Sequence, residues 1–280
     1  MSSSQTRGAM IPASAPDPAL FGAPIRAGGL VAAPVADATG IDALLALRAL
    51  AFRGDASADD RDGFDAACLH LRIGRAHGPA LATLRLQPQP EGRISGYAAS
   101  CHDLSALAAA PGPALELGRL CLHPEHAAPA GRAEDGAAGA DLMRLVWASV
   151  ARLTDRCGAA RLIGCSSFPG SDPAAHAAAL GLLAQRHLGP PALRPARKAP
   201  ETRPLSDWAA AATPWGAAGM PPLLRAYLAL GGWVADHLVI DRDLGTCHIF
   251  TCVEIATMPE GRKRLLRAMA GDSAGGNPGT

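Results

Sequence analysis

Apolar and polar positions along the chain follow two rhythms, one typical of amphipathic helices and one typical of short strands. Apolar residues recur at helical spacing in the segments 41–52, 140–157, 172–187, 221–230 and 259–270. Short apolar runs bounded by Gly, Pro and Asp predict strands at 68–75, 79–86, 92–102, 114–122, 161–167, 233–241 and 247–255. Because hairpins join the early strands and helices separate the later ones, this order predicts an α/β domain with a mixed central sheet flanked by helices.

The composition of both ends and of one internal stretch marks the limits of this domain. Residues 1–30 open on a Ser-, Pro- and Ala-rich stretch without the apolar run of a signal peptide, so we expect a disordered tail. The domain itself is predicted to span residues 31–270, with an exposed Pro/Arg-rich insertion at 190–220. Residues 271–280 are rich in Gly and Ser, and we expect a flexible tail there. No segment reaches the roughly 18 consecutive apolar residues that a membrane span requires.

Composition and charge argue against several classes of protein. The chain of 280 residues has a formal net charge of +1, which is too balanced for a protein whose main partner is nucleic acid. Its seven cysteines include no C-x-x-C pair, so neither a zinc ribbon nor a disulfide framework is predicted. Unpatterned cysteines favour a reducing cytoplasm. No G-x-G-x-x-G motif follows a predicted strand, as a dinucleotide-binding fold would require.

Several blocks of sequence carry a resemblance to a known family. In chain order they are Arg48-Ala-Leu-Ala-Phe52-Arg53 with Phe64-Asp65 and the His70 strand, Glu116-Leu-Gly-Arg119-Leu-Cys-Leu-His-Pro124, Gly164-Cys-Ser-Ser-Phe-Pro-Gly170-Ser-Asp172, and Pro221-Pro-Leu-Leu-Arg225-Ala-Tyr227 with Ile240-Asp241. Their order and spacing resemble those of the ornithine lipid synthesis acyltransferases, also called hemolysin-like acyltransferases. The resemblance implies a GNAT-like fold. It also implies that no cofactor is needed, because the acyl donor is the 4′-phosphopantetheine thioester of acyl carrier protein.

The first half of the chain is also similar to the acyl-homoserine lactone synthases. The matching positions are Arg48 and Phe52, Asp62 and Asp65, Arg85, and Glu116 with Arg119. The tryptophan expected soon after Phe52 is missing, and the later blocks match the ornithine enzymes better. Arg225 stands where a lysine is usual in the ornithine family, which keeps the positive charge but excludes any role for a neutral amine.

Glu116 and Arg119 are the residues that this resemblance places in the catalytic site. Amide formation from a thioester requires a deprotonated amine, a stabilised oxyanion and aligned reactants. Glu116 is the candidate general base, directly or through water, because a carboxylate on a central strand is partly desolvated and its pKa is raised. The alternative is an ion pair of Glu116 with Arg119 or Arg85 that only stabilises the sheet.

The resemblance also implies a substrate site, formed by Arg48, Phe52, Asp62, Asp65, Arg85, Arg225 and Asp241. Asp62 and Asp65 are candidates to hold the ammonium groups of the amino acid, and Asp65 is favoured because it directly precedes a strand. The arginines either form a buried network with these acids or bind the substrate carboxylate in bidentate fashion. A solvated acidic loop is the alternative.

The acyl carrier and its pantetheine arm are expected beside the end of the 114–122 strand and the helix that follows. The resemblance implies that backbone N–H groups near Leu120, Cys121 and Leu122 face the thioester carbonyl. The glycine-rich loop before the helix is a candidate to bind the pantetheine phosphate. Arg132 and Arg144 are candidates to dock the acidic carrier surface. A flexible linker and a solvated helix face are the alternatives.

Other patterns predict no site. The Gly-x-Ser stretch at Gly164 lacks the final glycine of a nucleophile elbow. Cys165 with His176 forms a conceivable thiol–imidazole pair, but a small buried cysteine is the simpler interpretation. His123 and His126 lack partner ligands, so no metal site is predicted.

Together these features predict transfer of a 3-hydroxyacyl group from acyl carrier protein to the amine of ornithine, giving lyso-ornithine lipid, the first step of ornithine lipid synthesis. The alternatives are an acyl-homoserine lactone synthase, which would require S-adenosylmethionine, and a non-catalytic module that binds acyl carrier protein. The basic amphipathic segment at 259–270 predicts either peripheral contact with the inner membrane or ordinary packing on the domain.

Overall fold

The computed structural model describes residues 15–126 and 133–271. Its α-helices are α1 (Ala38–Arg53), α2 (Tyr97–Cys101), α3 (Ser105–Ala108), α4 (Ala133–Arg156), α5 (Ala177–Arg186), α6 (Pro222–Ala229) and α7 (Glu260–Met269). Its strands are β1 (Ile25–Ala27), β2 (Leu30–Val35), β3 (Leu69–Arg75), β4 (Ala80–Gln89), β5 (His102–Asp103), β6 (Ala114–Leu122), β7 (Arg161–Pro169), β8 (Ala196–Arg197), β9 (Thr202–Pro204), β10 (Trp233–Asp241) and β11 (Thr246–Glu254).

The strands form one mixed nine-stranded sheet in the order β1-β2-β3-β4-β6-β7-β11-β10-β9, and β5 pairs with β8 in a separate ladder. Strands β6 and β7 run parallel, as α4 between them allows, because a parallel pair needs a crossover connection. The predicted α/β fold with a mixed sheet is therefore confirmed. Among the described residues, no helix has the length and apolar character that crossing a membrane requires.

The two faces of the sheet have opposite character because side chains alternate along each strand. On β4, Ala82, Leu84 and Leu86 belong to the main hydrophobic core, which they share with Leu145 and Leu153 of α4. The intervening positions are buried but polar, and the other strands continue this second set: His70, Thr83, Arg85, Gln87, Gln89 and Glu116. Helix α1 contacts β4 and β6 on this polar face, which we call the α1 face.

Helix α1 has sequence signals at both ends. The Asp37 carboxylate accepts a hydrogen bond from the Gly40 N–H at 2.8 Å, the usual form of an N-cap. Gly54 ends the helix in the left-handed conformation, with φ 74°. The predicted helix at 41–52 is thus confirmed, and it begins three residues earlier, at Ala38.

Two predicted elements were wrong. Residues 92–102 form a turn, the short helix α2 and the start of β5 instead of a strand, because this apolar stretch packs over the sheet, with Ala98 fully buried, and does not join it. Helix α4 begins at Ala133, so the predicted glycine-rich loop is helical from there on. Alanine-rich sequence explains this extension, since each helical glycine costs only about 1 kcal/mol relative to alanine.

The limits of the domain also differ from the prediction. Order extends upstream of residue 31, where Phe21 is fully buried and Ile25 lies in β1, because these apolar side chains join the core beside α4. Within the predicted insertion at 190–220, β9 pairs with β10 and forms the edge of the sheet, and Leu205 and Met220 are buried in a second core beside α5. Residues 1–14, 127–132 and 272–280 lie outside the described residues.

Strands β6 and β7 separate in the middle of the sheet. Their pairing runs from Ala114 opposite Arg161 to Leu117 opposite Gly164 and stops there. The register between β4 and β6 shifts at the same level, and Arg119 adopts a positive φ of 50°, which is unusual for a residue other than glycine. The β7-facing edge of β6 beyond Leu117 is therefore without a neighbouring strand in the described structure.

Candidate active site

Strand register brings polar side chains from neighbouring strands together on the α1 face. His70 lies opposite Arg85, and Gln87 lies opposite Glu116. Since opposed residues point to the same side of a sheet, these side chains form a row beneath α1 and the segment that follows it. The segment after α1 contains the candidate acids Asp62 and Asp65 and places them against these side chains.

Arg48 is the centre of an arginine–aspartate cluster and is almost completely buried, at 1% exposure. Its Nε donates to Asp60 Oδ2 at 2.8 Å, and its Nη1 donates to Asp65 Oδ1 at 2.6 Å. Its Nη2 donates to the backbone oxygen of Asp60 at 2.6 Å. A buried guanidinium held in this way ties helix α1 to the loop after it, because its donors satisfy each carboxylate in a fixed geometry.

Arg85 extends the same cluster to β4. Its Nη1 donates to Asp62 Oδ1 at 2.6 Å and to Asp65 Oδ1 at 2.8 Å. Burial would raise the pKa of Asp65, but hydrogen bonds from Arg48 and from the Asp62 N–H, together with the two arginine charges, hold that pKa at about 2. Asp65 is thus a permanently ionised anchor whose oxygens are already engaged.

Arg119 completes the cluster from β6. Its Nη2 lies 3.5 Å from Asp60 Oδ1 and 3.5 Å from Asp62 Oδ2, and its guanidinium stacks over the Phe52 ring at 5.4 Å. The structure therefore brings together the predicted residues of the first half of the chain: Arg48, Phe52, Asp62, Asp65, Arg85 and Arg119. These contacts match the alternative in which the arginines form a buried network with the acids. They do not match a solvated acidic loop.

Glu116 lies beside this cluster and differs from it in having an unused oxygen. Its Oε1 accepts a hydrogen bond from the Ala98 N–H at 2.8 Å. Its Oε2 is buried and has no hydrogen-bond partner among the described residues. Burial raises the pKa of Glu116 to about 7, against the lowering effects of the Ala98 N–H, the Arg85 charge and the nearby Tyr97 N–H. A carboxylate with that pKa changes protonation near neutral pH, as a general base should.

A small pocket opens at Glu116, lined by Phe64, Cys68, Arg85, Gln87, Tyr97 and Gly118. Gly96 permits its tight closure, because a Cβ at that position would lie 1.8 Å from Glu116 Oε2 and 2.7 Å from Gln87 Oε1. The backbone of this turn thereby reaches Glu116 closely enough for the Ala98 N–H to bind it. The pocket has one ionisable oxygen without a partner and one arginine at its wall.

Tyr97 connects the pocket to Asp241. The Tyr97 hydroxyl lies 3.4 Å from Asp241 Oδ2 and 3.4 Å from His248 Nε2, and its ring packs edge-to-face on Phe64 at 5.9 Å. Asp241, which the sequence placed in the substrate site, therefore borders the pocket through Tyr97. The sequence analysis predicted a strand at 92–102 and therefore did not identify Tyr97 as a site residue. Tyr97 reaches the site because it lies on helix α2.

Other predicted residues lie elsewhere. Arg225 is exposed on α6, whose Tyr227 packs against Trp147 of α4. Arg225 forms no ion pair with another of the described residues. Arg144 is exposed and pairs with Asp141 on the surface of α4 at 2.5 Å. Arg132 lies outside the described residues.

The residues predicted to face the acyl thioester, Leu120, Cys121 and Leu122, follow the point where β6 leaves β7. Cys121 is buried, and the two leucines are partly buried against the main core. The backbone of this segment borders the opening between the two strands.

Sequence reasoning missed Asp60 and Gln87 as well as Tyr97. Asp60 is one of several acids in a short loop, and nothing in the sequence distinguishes it from the others. In the structure it is only 1% exposed. Its partners on α1 and β6 are distant in sequence, so the ion pairs depend on tertiary contact. Gln87 could have been identified from the alternation of side chains along β4, because it lies two residues after Arg85 and therefore on the same face of the sheet.

Comparison with known proteins agrees with these features. Residues 48–132 match the family model described as an acetyltransferase (GNAT) domain. The chain is 32% identical over 164 residues to the L-ornithine N(alpha)-acyltransferase of Rhodobacter capsulatus, with 59% of each protein covered. It is 28% identical over 223 residues to the protein of the same name from Brucella abortus, with 70% of each covered.

The aligned part therefore spans less than two thirds of the Rhodobacter capsulatus protein and somewhat more of the Brucella abortus one. Among solved structures, the chain is similar to FeeM, an N-acyl amino acid synthase from uncultured soil microbes, with a TM-score of 0.45 and 10% identity over 81% of this chain and 92% of that chain. The resemblance seen in the sequence blocks is confirmed: residues 48–132 match a GNAT acetyltransferase domain, and the chain is similar to the L-ornithine N(alpha)-acyltransferases.

Proposed function

We propose that this protein transfers a 3-hydroxyacyl group from acyl carrier protein to the α-amine of ornithine, giving lyso-ornithine lipid and free carrier protein. The observation that carries the proposal is the buried Oε2 of Glu116, which has no partner among the described residues and belongs to a group with a pKa of about 7. The names of the relatives indicate ornithine as the amino-acid substrate, and the family resemblance implies acyl carrier protein as the acyl donor.

The proposed reaction begins with the ornithine α-ammonium group beside Glu116. Ionised Glu116 takes one proton, directly or through water, and the free amine attacks the thioester carbonyl carbon. The new C–N bond forms as the carbonyl oxygen becomes an oxyanion, and collapse of this intermediate breaks the C–S bond. The attacking nitrogen gives up its second proton, which the leaving pantetheine thiolate takes up, so one amide and one thiol are formed without a covalent enzyme intermediate.

We place the acyl arm in the opening between β6 and β7. In this position, backbone N–H groups of Leu120 to Leu122 are the candidates to stabilise the oxyanion, since strand pairing does not use that edge of β6 beyond Leu117 in the described residues. Fixed N–H donors at a developing oxyanion are a major source of rate acceleration in acyl transfer. Glu116 lies one residue before the end of this pairing, which brings base and thioester to the same place.

We assign the amino-acid contacts to the half-buried members of the arginine–aspartate cluster. Asp62 is 22% exposed and Arg119 is 13% exposed, whereas Asp65 is held by Arg48 and Arg85. Asp62 therefore suits an ammonium group of ornithine, and Arg119 suits its carboxylate. Asp65 serves as the anchor that fixes both.

We further propose that Arg144 helps to dock the acyl carrier protein, and that α7 contacts the inner membrane peripherally. On α7, Lys263 pairs with Glu260 and Arg267 pairs with Asp155, which leaves Arg262 and Arg264 for anionic lipid. Leu265, which follows Arg264, is 51% exposed. An amphiphilic product makes contact with a membrane surface chemically reasonable.

The test is a reconstituted assay with 3-hydroxyacyl-acyl carrier protein and either ornithine, lysine or S-adenosylmethionine, read by mass spectrometry. We expect a singly acylated ornithine from the wild-type chain, strongly reduced product from Glu116→Gln, and unchanged product from Glu91→Gln, an exposed carboxylate in the turn after β4. A product that requires S-adenosylmethionine would identify an acyl-homoserine lactone synthase instead. Carrier binding without turnover of any amine would identify a non-catalytic module.

A further inference from the structure

A second group of ligand-type side chains lies on the α1 face, on the far side of Tyr97 from Glu116. Cys165 of β7 lies opposite Phe250 of β11, and His248 lies two residues before Phe250 on the same face of the sheet. His102 of β5 covers them, with its ring centroid 5.8 Å from that of His248. One ligand atom from each of Cys165, His102 and His248 lies within 4.8 Å of the others. We call these three residues the histidine–cysteine cluster.

Both imidazoles of this cluster have one nitrogen occupied and one unused. His102 Nδ1 lies 3.1 Å from His237 Nε2, and His248 Nε2 lies 3.4 Å from the Tyr97 hydroxyl. The remaining nitrogens, Nε2 of His102 and Nδ1 of His248, are buried and have no hydrogen-bond partner among the described residues. The two side chains are 0% and 2% exposed. Buried polar atoms normally have partners, so two unused nitrogens beside one thiol indicate a missing ligand.

The surrounding contacts resemble the outer shell of a metal site. His237 Nδ1 lies 2.9 Å from the Asp236 carboxylate, so His102 is the first member of an imidazole–imidazole–carboxylate chain. On the other side, the Tyr97 hydroxyl joins His248 to Asp241. Groups that hold the second nitrogen of a metal-binding imidazole fix its tautomer and orientation. The acidic residues also supply negative charge near the site without entering it.

We propose that Cys165 Sγ, His102 Nε2 and His248 Nδ1 bind a divalent transition-metal ion of the zinc class, with a fourth position open to water or another small ligand. One thiolate and two imidazoles form a donor set that suits zinc. In a tetrahedral site these donors lie roughly 3.3–3.6 Å apart, so binding brings the three side chains closer than the 4.8 Å within which one ligand atom of each now lies. Binding releases the thiol proton of Cys165 to solvent and changes no oxidation state.

The protonation states of the free side chains agree with this assignment for the imidazoles. Burial lowers the pKa of His102 to about 2 and that of His248 to about 4, so both are neutral and able to ligate. Burial raises the pKa of the Cys165 thiol, and a directly coordinated divalent cation reverses that effect. Other titratable or charged groups facing the cluster are Cys101, Asp236, His237, Asp241 and Glu116.

The metal would tie together β7, β11 and the segment that carries α2. Because His248 contacts Tyr97, and Tyr97 lines the Glu116 pocket, this site acts as a positioning element for the pocket wall. The proposal does not depend on the acyl-transfer assignment, since metal binding is measured without any substrate.

The first experiment measures metal in the full-length protein purified without chelators from cells grown with added Zn²⁺. We expect about one zinc per chain in the wild type and loss of most of it in Cys165→Ala and His248→Ala. The matched control is Cys157→Ser, a half-buried thiol at the end of α4, which should keep the metal. Unfolding of the variants is checked by circular dichroism.

The second experiment detects thiolate coordination directly in the wild-type protein, so its result does not depend on whether a variant folds. Co²⁺ is added to chelator-treated wild-type protein, and we expect a thiolate-to-cobalt charge-transfer band in the near ultraviolet with visible d–d bands of a tetrahedral site. Zn²⁺ should abolish these bands. Wild-type protein without stoichiometric zinc and without a Co²⁺–thiolate band overturns the proposal, as does a band that persists in folded Cys165→Ala.

Discussion

The arginine–aspartate cluster and Glu116 are neighbours on the same face of one sheet, yet their charges are satisfied to different degrees. Arg48 has three of its nitrogens engaged by Asp60 and Asp65, whereas Glu116 has one oxygen engaged by a backbone N–H and one without a partner in the described structure. Paired buried charges hold a fold together, and an unpaired one is available for a reactant. This contrast indicates that the arginine–aspartate cluster has a structural role and that Glu116 is the reactive group.

Removal of Arg48 should have the largest effect, because it leaves buried carboxylates without their partner. We expect Arg48→Ala to lower the free energy of unfolding by about 3–5 kcal/mol, measured by urea denaturation. The matched control is Arg61→Ala, which breaks an exposed pair with Asp42 and should change stability by less than about 1 kcal/mol. Equal effects of the two substitutions would contradict a buried structural cluster.

Glu116→Gln should show the opposite behaviour, with a large loss of activity and little loss of stability. Loss of a general base typically lowers the rate by about 10²–10⁴-fold, so kcat/KM for amide formation should fall in that range. The amide keeps the size of the side chain and can still accept from the Ala98 N–H. A rate within a few-fold of wild type would leave Glu116 with only a structural role.

The two groups should also respond to pH in opposite directions. Glu116 has a folded-state pKa of about 7 against an ordinary value of 4.5, so the unfolded chain loses its proton first and stability falls as pH rises from about 4.5 to 7. Asp65 has a folded-state pKa of about 2 against 3.8, so its stabilising effect is present above about 3.8 and is lost as pH falls towards 2.

The accompanying measurement is a pair of pH series. Activity of the wild type should rise about tenfold per pH unit below about 7, because the ionised form of Glu116 is the base. The free energy of unfolding of Glu116→Gln should lack the decline between pH 4.5 and 7 that the wild type shows. A wild-type activity profile that is flat through this range would contradict the assigned base.

Gly96→Ala should have a smaller effect on stability than Arg48→Ala. Its new methyl group would overlap Glu116 Oε2, and such overpacking costs about 1–3 kcal/mol. Because the carboxylate must move, activity should fall together with stability. Gly63→Ala is the control, since a Cβ there meets no atom within 4 Å, and it should leave both quantities nearly unchanged.

Much of the fold could be predicted from local pattern, and the exceptions have identifiable causes. Strands β3, β4, β6, β7, β10 and β11 lie within a few residues of their predicted ranges, because each has apolar residues on a period of two or a short buried run. Helix α2 was misassigned because its five residues are too few to show helical periodicity. The start of α4 was misassigned because Gly and Ala occur in both loops and helices.

The sequence by itself determined the α/β class, the blocks that carry the family resemblance, and the candidate status of Arg48, Asp62, Asp65, Arg85, Glu116 and Arg119. The fold class depends on local periodicity, and the candidate residues follow from the resemblance that these sequence blocks carry. Only the tertiary structure decided which acids are bound by arginine, that Asp60 is buried among them, and that Tyr97, His102, Cys165 and His248 meet beside the pocket. Those relations depend on strand register and chain crossover, which bring residues far apart in sequence to within hydrogen-bond distance.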